Sequence, residues 1–183
     1  MNIRLAEEKD FEIIMNIYRN ARNFMKQNGN PDQWKDDYPP KDLIIKDIKE
    51  HKYLRVVEND ESEIYGVFYF KIGVDETYRN IDGKWISESE YGIIHRIAGN
   101  GKMHNFFETV LKYCLTLTDH IRIDTHRDNK IMISLLLNNG FIKTGIIYCD
   151  TGEAREAFEL IKKIRKFNIS FKEMFKFNDK FFV

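Results

Sequence analysis

Cysteine is scarce in this chain: 183 residues contain two, Cys114 and Cys149, in neither Cys-x-x-Cys nor histidine-paired spacing. That excludes a disulfide framework, a zinc ribbon and a thioredoxin-type pair, and no metal is expected. The three prolines, Pro31, Pro39 and Pro40, fall in one short connection. No stretch approaches the ~18 consecutive apolar residues of a membrane span, and the charged start MNIRLAEEKD has no apolar core of a secretory signal. Lys+Arg 29 balance Asp+Glu 29, so no global field points to nucleic acid or an anionic membrane. Repeats and low-complexity segments are missing. A cytoplasmic protein is the expectation.

Two phosphate motifs fail as well. A Walker loop needs Gly where the chain has Arg96 and Ser or Thr where it has Met103, and the dinucleotide fingerprint needs Gly at His104.

What remains is a foldable chain, with hydrophobic residues at 43% and aromatics at 14%, of a length suited to one domain. Its organising stretch is Tyr91 to Leu117. Ile93, Ile94 and Ile97 suit a packed strand, Gly99-Asn100-Gly101 a sharp turn, and Phe106, Phe107, Val110, Leu111, Cys114 and Leu115 recur at helical spacing. A strand entering a helix through small residues offers free N–H groups at the positive end of the helix dipole, a seat for an anion. The glycines can equally serve the turn alone.

Around this unit the pattern predicts a strand at Ile3 to Leu5, a helix capped by Asp10, and a second helix from Asp42 to His51. Tyr53 to Glu58 and Ile64 to Ile72 read as a hairpin, with an insertion from Gly73 to Glu90 marked by a turn at Asp82-Gly83. Ile121 to Thr125, Phe141 to Tyr148 and Ala154 to Ile161 read as strands, and Lys130 to Asn138 as a helix ended by Gly140. The expected architecture is an α/β fold: a mostly antiparallel seven-stranded sheet with one central parallel pair, flanked by helices. Residues 1–161 form the domain. Residues 162–183 form a basic, Phe-rich extension that reads as a terminal helix packed on it; single-stranded nucleic acid is the competing reading, disfavoured because no other basic surface extends the patch.

The segment Asp124-Thr125-His126-Arg127-Asp128-Asn129, with Met132, Leu135 and Asn139-Gly140-Phe141, resembles the strand, coenzyme-binding Asn and following helix of the GNAT acetyltransferase superfamily. Ile94-His95-Arg96-Ile97-Ala98 is similar to that family's central strand. Trp34, Tyr38-Pro39, Ile147-Tyr148 and Arg155 resemble a bacterial branch acting on small-molecule amines.

The resemblance implies transfer of an acetyl group from acetyl-coenzyme A, a co-substrate, directly to a primary amine of a small molecule or peptide. It allows a homodimer and needs neither nucleic acid nor membrane. It places the pantetheine arm along Ile97 and Ala98, the pyrophosphate on Gly101, Lys102, Met103, His104, Asn105 and Phe106, and Asn129 on the arm. Trp34, Tyr38 and the insertion would line the acceptor site. Two departures stand out. Bulky residues occupy the turn where the family has glycines, and Leu136 stands where the family often has its tyrosine acid. Tyr148 is the substitute acid; His126, ahead of His95, is the candidate base, with Glu90 and Asp124 behind. The competing class keeps the fold and binds acyl-coenzyme A, or a partner, without turnover.

Overall fold

The computed structural model describes residues 1–162, so the extension expected to pack on the domain lies, from residue 163 onward, outside the described residues. One eight-stranded sheet runs in the order β1-β2-β3-β5-β6-β8-β7-β4. Its strands are β1 (Asn2–Leu5), β2 (Leu54–Glu58), β3 (Ile64–Ile72), β4 (Ile81–Gly83), β5 (Gly92–Gly99), β6 (His120–Thr125), β7 (Ile142–Tyr148) and β8 (Ala154–Ile161). Among the described residues four α-helices flank it: α1 (Phe11–Gln27), α2 (Lys41–Glu50), α3 (Phe106–Leu117) and α4 (Lys130–Asn138). Neighbouring strands pair antiparallel except β5 with β6. Among the described residues no helix is long and apolar enough to cross a membrane.

Period-two alternation divides the sheet's side chains between two cores. On one face, Val56 and Val67 meet Ile14, Tyr18 and Ile44 of α1 and α2. On the other, Phe68, Phe70, Ile94, Ile121 and Ile123 meet Phe107, Val110, Leu111 and Cys114 of α3, with Leu136 of α4. A third cluster, Tyr78, Trp85, Tyr91 and Ile93, sits under the insertion.

The seven strands expected become eight because Asp82-Gly83, read as a turn, lies in β4. Gly83 takes φ 141°, and a Cβ there would meet the Thr144 carbonyl at 2.3 Å. This close backbone approach seats three residues on the β7 edge, too few to leave an alternating pattern in the sequence. Asp10 precedes α1 as expected but does not cap it. Its carboxylate takes the Arg4 guanidinium at 2.6 and 3.0 Å and the Glu7 N–H at 2.8 Å, tying β1 to the helix start.

Candidate active site

The sheet opens at its parallel pair. β5 and β6 share two residue pairs, Gly92 with Ile121 and Ile93 with Arg122, and beyond Ile93 β5 pairs with β3 alone among the described residues. A bulge lies at the same place. Three steps of β5, His95 to Ala98, face two of β3, Tyr69 to Val67, and Arg96 takes φ 50°. An extra residue bends a strand and re-aims its side chains. Arg96 is held in this unfavourable backbone region by several contacts. Its guanidinium reaches Asp47 at 2.6 Å and lies 4.8 Å from the Tyr69 ring centre, and its carbonyl accepts from the buried Tyr18 hydroxyl at 3.0 Å.

Just past the last paired residues, His95 and Asp124 face each other across the opening. His95 Nε2 lies 2.9 Å from Asp75 of the insertion, and its Nδ1 lies 3.6 Å from Asp124 Oδ1. The Tyr78 hydroxyl donates to that same Asp124 oxygen at 2.8 Å. Burial, then the neighbouring Asp124, holds the Tyr78 phenol well above its ordinary value, so it remains a donor. Burial would raise the Asp75 carboxyl, but hydrogen bonds from His95 and from Thr77 outweigh it and hold the group well below the usual carboxylate range. The histidine is partly open, with 28% of its side chain exposed.

The residues expected at the anion seat follow the opening. Gly101 takes φ 81° and Asn105 φ 55°, and α3 begins at Phe106 with no side-chain cap. The Asn105 carbonyl accepts the Thr109 N–H at the first turn, and the N–H groups that open the helix have no intrahelical partner. Phe106 docks its ring where β3 and β5 carry Gly66 and Gly99. A Cβ on Gly66 would meet that ring at 2.3 Å. This bulky residue, lying between the two positions where the family has glycines, is thus received by glycines on the strands. Lys102, expected to supply charge, has its ammonium 2.6 Å from Glu63 in an exposed pair, a weak tie that a phosphate can displace.

Asn129 is the N-cap of α4, its Oδ1 accepting from the Met132 N–H at 3.1 Å. Its Nδ2 donates to Gln33 Oε1 at 2.8 Å. Gln33 also takes Asn30 Nδ2 at 2.7 Å, and so ties the loop between α1 and α2 to the end of β6. Trp34 of that loop is buried, edge-on to Tyr18 at 5.6 Å and tilted against Tyr38 at 6.2 Å; Tyr38 is partly exposed. Burial pushes the Tyr38 phenol up, against the opposing pull of Arg96.

Two further expected residues have hydrogen-bond partners of their own. His126 follows β6, and its Nδ1 accepts the Asp128 N–H at 3.3 Å. Tyr148 ends β7, two strands beyond β6, and its exposed hydroxyl donates to Asp82 of β4 at 2.7 Å. Leu136 is wholly buried in the α3–α4 core. Asp75 was missed in the sequence, as was the role of Gln33: each acts across a long separation that no local spacing records. Glu90, a weaker candidate, is exposed at the end of the insertion.

No protein-family model matches the chain, and no curated protein does. Solved structures do. A GNAT-family acetyltransferase from Streptococcus agalactiae is 29% identical, with a TM-score of 0.78 over 89% of this chain and 96% of that one. An acetyltransferase structure from Staphylococcus aureus is 24% identical, with a TM-score of 0.65 over 89% of this chain and 100% of that one. A phosphinothricin acetyltransferase of the GNAT superfamily from Sinorhizobium meliloti, solved with acetyl-coenzyme A, has a TM-score of 0.57 at 13% identity. It covers 88% of each chain and is a likeness of fold alone. The bulged β5 and the parallel pair that opens beside it are set in a fold that the chain shares with these GNAT-superfamily acetyltransferases.

Proposed function

We propose that this protein is an N-acetyltransferase that uses acetyl-coenzyme A and acts on a primary amine. The observation that carries the reading is the opening between β5 and β6 with His95 and Asp124 meeting across it. The residues present fit the coenzyme. Among the described residues the β5 backbone at Ile97 and Ala98 has no strand on its β6 side to pair with, which suits an extended arm bearing amides. The N–H groups at the start of α3, which have no side-chain cap among the described residues, and the Lys102 ammonium suit its phosphates, and the Asn129 amide stands at the N-cap of α4.

Acetyl-coenzyme A supplies a thioester whose acetyl carbon is open to an amine. Asp124 draws the acceptor's ammonium to the opening, and His95 Nδ1, beside it, takes the proton that frees the nitrogen lone pair. Asp75 accepts from His95 Nε2, leaving the lone pair on Nδ1. His126 is the alternative base. Trp34 and Tyr38 form the acceptor wall on the α1–α2 side, and the insertion forms the opposite wall. As the acid, Tyr148 would have to leave Asp82; without it, water protonates the departing thiolate.

The test is thiol release from acetyl-coenzyme A over a panel of amines, with calorimetry of coenzyme binding alongside. Amine-dependent release is expected. No coenzyme binding would overturn the assignment. Binding without release on any amine would favour a non-catalytic acyl-coenzyme A module, a reading supported by the burial of Leu136 and the Tyr148–Asp82 bond.

A further inference from the structure

The net neutrality of the chain conceals a division. Residues 163–183 hold six of its 29 basic residues and two of its 29 acidic ones, so they carry +4 and the remaining chain carries −4. The same segment holds six phenylalanines: Phe167, Phe171, Phe175, Phe177, Phe181 and Phe182.

The body exposes an apolar surface where that segment departs. β8 ends at Ile161, and the next N–H, of Lys162, donates to the Asp119 carbonyl beside the start of β6. Three exposed isoleucines gather at this end of the sheet: Ile161 at 37%, Ile86 at 50% and Ile142 at 58%. All relate to Glu159, which is fully buried. Ile142 is its cross-strand partner on β7, Ile161 lies two residues along β8 on the same face, and Ile86 donates its N–H to the Glu159 carboxylate. Glu159 in turn holds His120 and Arg122, both buried. A buried charged cluster is thus roofed in part by isoleucines that face solvent. Glu88, Glu90 and Asp119, all exposed, lie in the segments bordering them.

We propose that residues 163–183 dock in cis on this face, their phenylalanines against Ile86, Ile142 and Ile161 and their basic residues toward Glu88, Glu90 and Asp119. Attachment one residue past Ile161 gives the segment a high effective concentration there. The opposite charges of segment and body favour the contact. A second copy would instead set one −4 body against another, and a nucleic acid would meet that same acidic body.

The test is limited trypsin digestion of the full-length protein, read by mass spectrometry. In the wild type, cleavage after Lys166 and Lys172 should be slow. Ile86→Ser combined with Ile142→Ser should speed it about tenfold, since cleavage follows the undocked population. Phe171→Ser with Phe175→Ser should do the same while leaving the body's residues untouched. Cleavage after Arg122 in β6 should stay slow throughout, as the sign that the body remains folded. Equal cleavage of the segment in wild type and both variants would overturn the proposal. So would protection that vanishes on dilution, which assigns the face to a second copy, or protection that appears only when an oligoribonucleotide is added.

Discussion

His95 is gripped by groups from three elements: Asp75 from the insertion, Asp124 from β6 and the Tyr69 ring 6.2 Å away on β3. His95→Gln should lower acetylation by about 10²–10⁴-fold, the usual worth of a general base, with coenzyme affinity unchanged in calorimetry. His126→Gln should have the smaller effect, because the Nδ1 of His126 is already taken by the Asp128 N–H. Asp75→Asn tests the support of His95 through pH. Because Asp75 titrates below its ordinary range in the folded protein, its contribution is present above the unfolded carboxyl value of about 3.9 and fades as pH falls. The variant should therefore unfold more easily in urea by about 1–3 kcal/mol at neutral pH, the scale of a lost hydrogen bond to a charged group. The gap should begin to narrow below about pH 4 and close only well below it. Sequence spacing put His126 ahead of His95 because His126 ends a strand. It could not weigh a carboxylate arriving from twenty residues upstream.

Most elements were legible from period and punctuation. Lys130–Asn138 and Ala154–Ile161 have the bounds that apolar spacing and the turns at Gly140 and Gly152 imply. Two features were not. The β4 strand depends on a glycine contact across strands, and the β5 bulge hides in Arg96-Ile97-Ala98-Gly99, letters that read as plain strand. The glycines that matter at the anion seat also lie off the turn. Gly66→Ala would push Phe106, the first residue of α3, out of its slot. It should destabilise the protein by about 1–3 kcal/mol, as overpacking does, and weaken coenzyme binding through the displaced N–H groups; melting and calorimetry read the two effects. At α4, Asn129→Ala should lose about 1 kcal/mol with its cap. Gln33→Ala should leave the stability of α4 intact while loosening the α1–α2 loop, seen as faster amide exchange from Asn30 to Tyr38.

At the scale of the molecule, the sheet is two four-stranded halves, β1-β2-β3-β5 and β6-β8-β7-β4, meeting at a two-pair seam. The insertion leaves β3, lays β4 on the far edge, anchors Ile86 on Glu159 and returns to β5, so it straps one half to the other. Arg122 stands between the Trp85 and Tyr91 rings, 4.1 and 4.0 Å from their centres, and fastens the strap again. Glu159→Ala would strand Arg122 without its buried partner. It should lower unfolding stability by about 3–5 kcal/mol in denaturant titration.

The strap also bears on how the molecule could be taken apart. The first hundred residues already own a thread stitched into the outer hem of the second half. Two polypeptides divided between Gly101 and Lys102 should therefore co-purify when expressed together, the first bringing its own tether to the second. The break would fall in the turn proposed to receive the phosphates, so a reassembled pair that stays folded but no longer takes coenzyme would separate the scaffold from its chemistry in one cut.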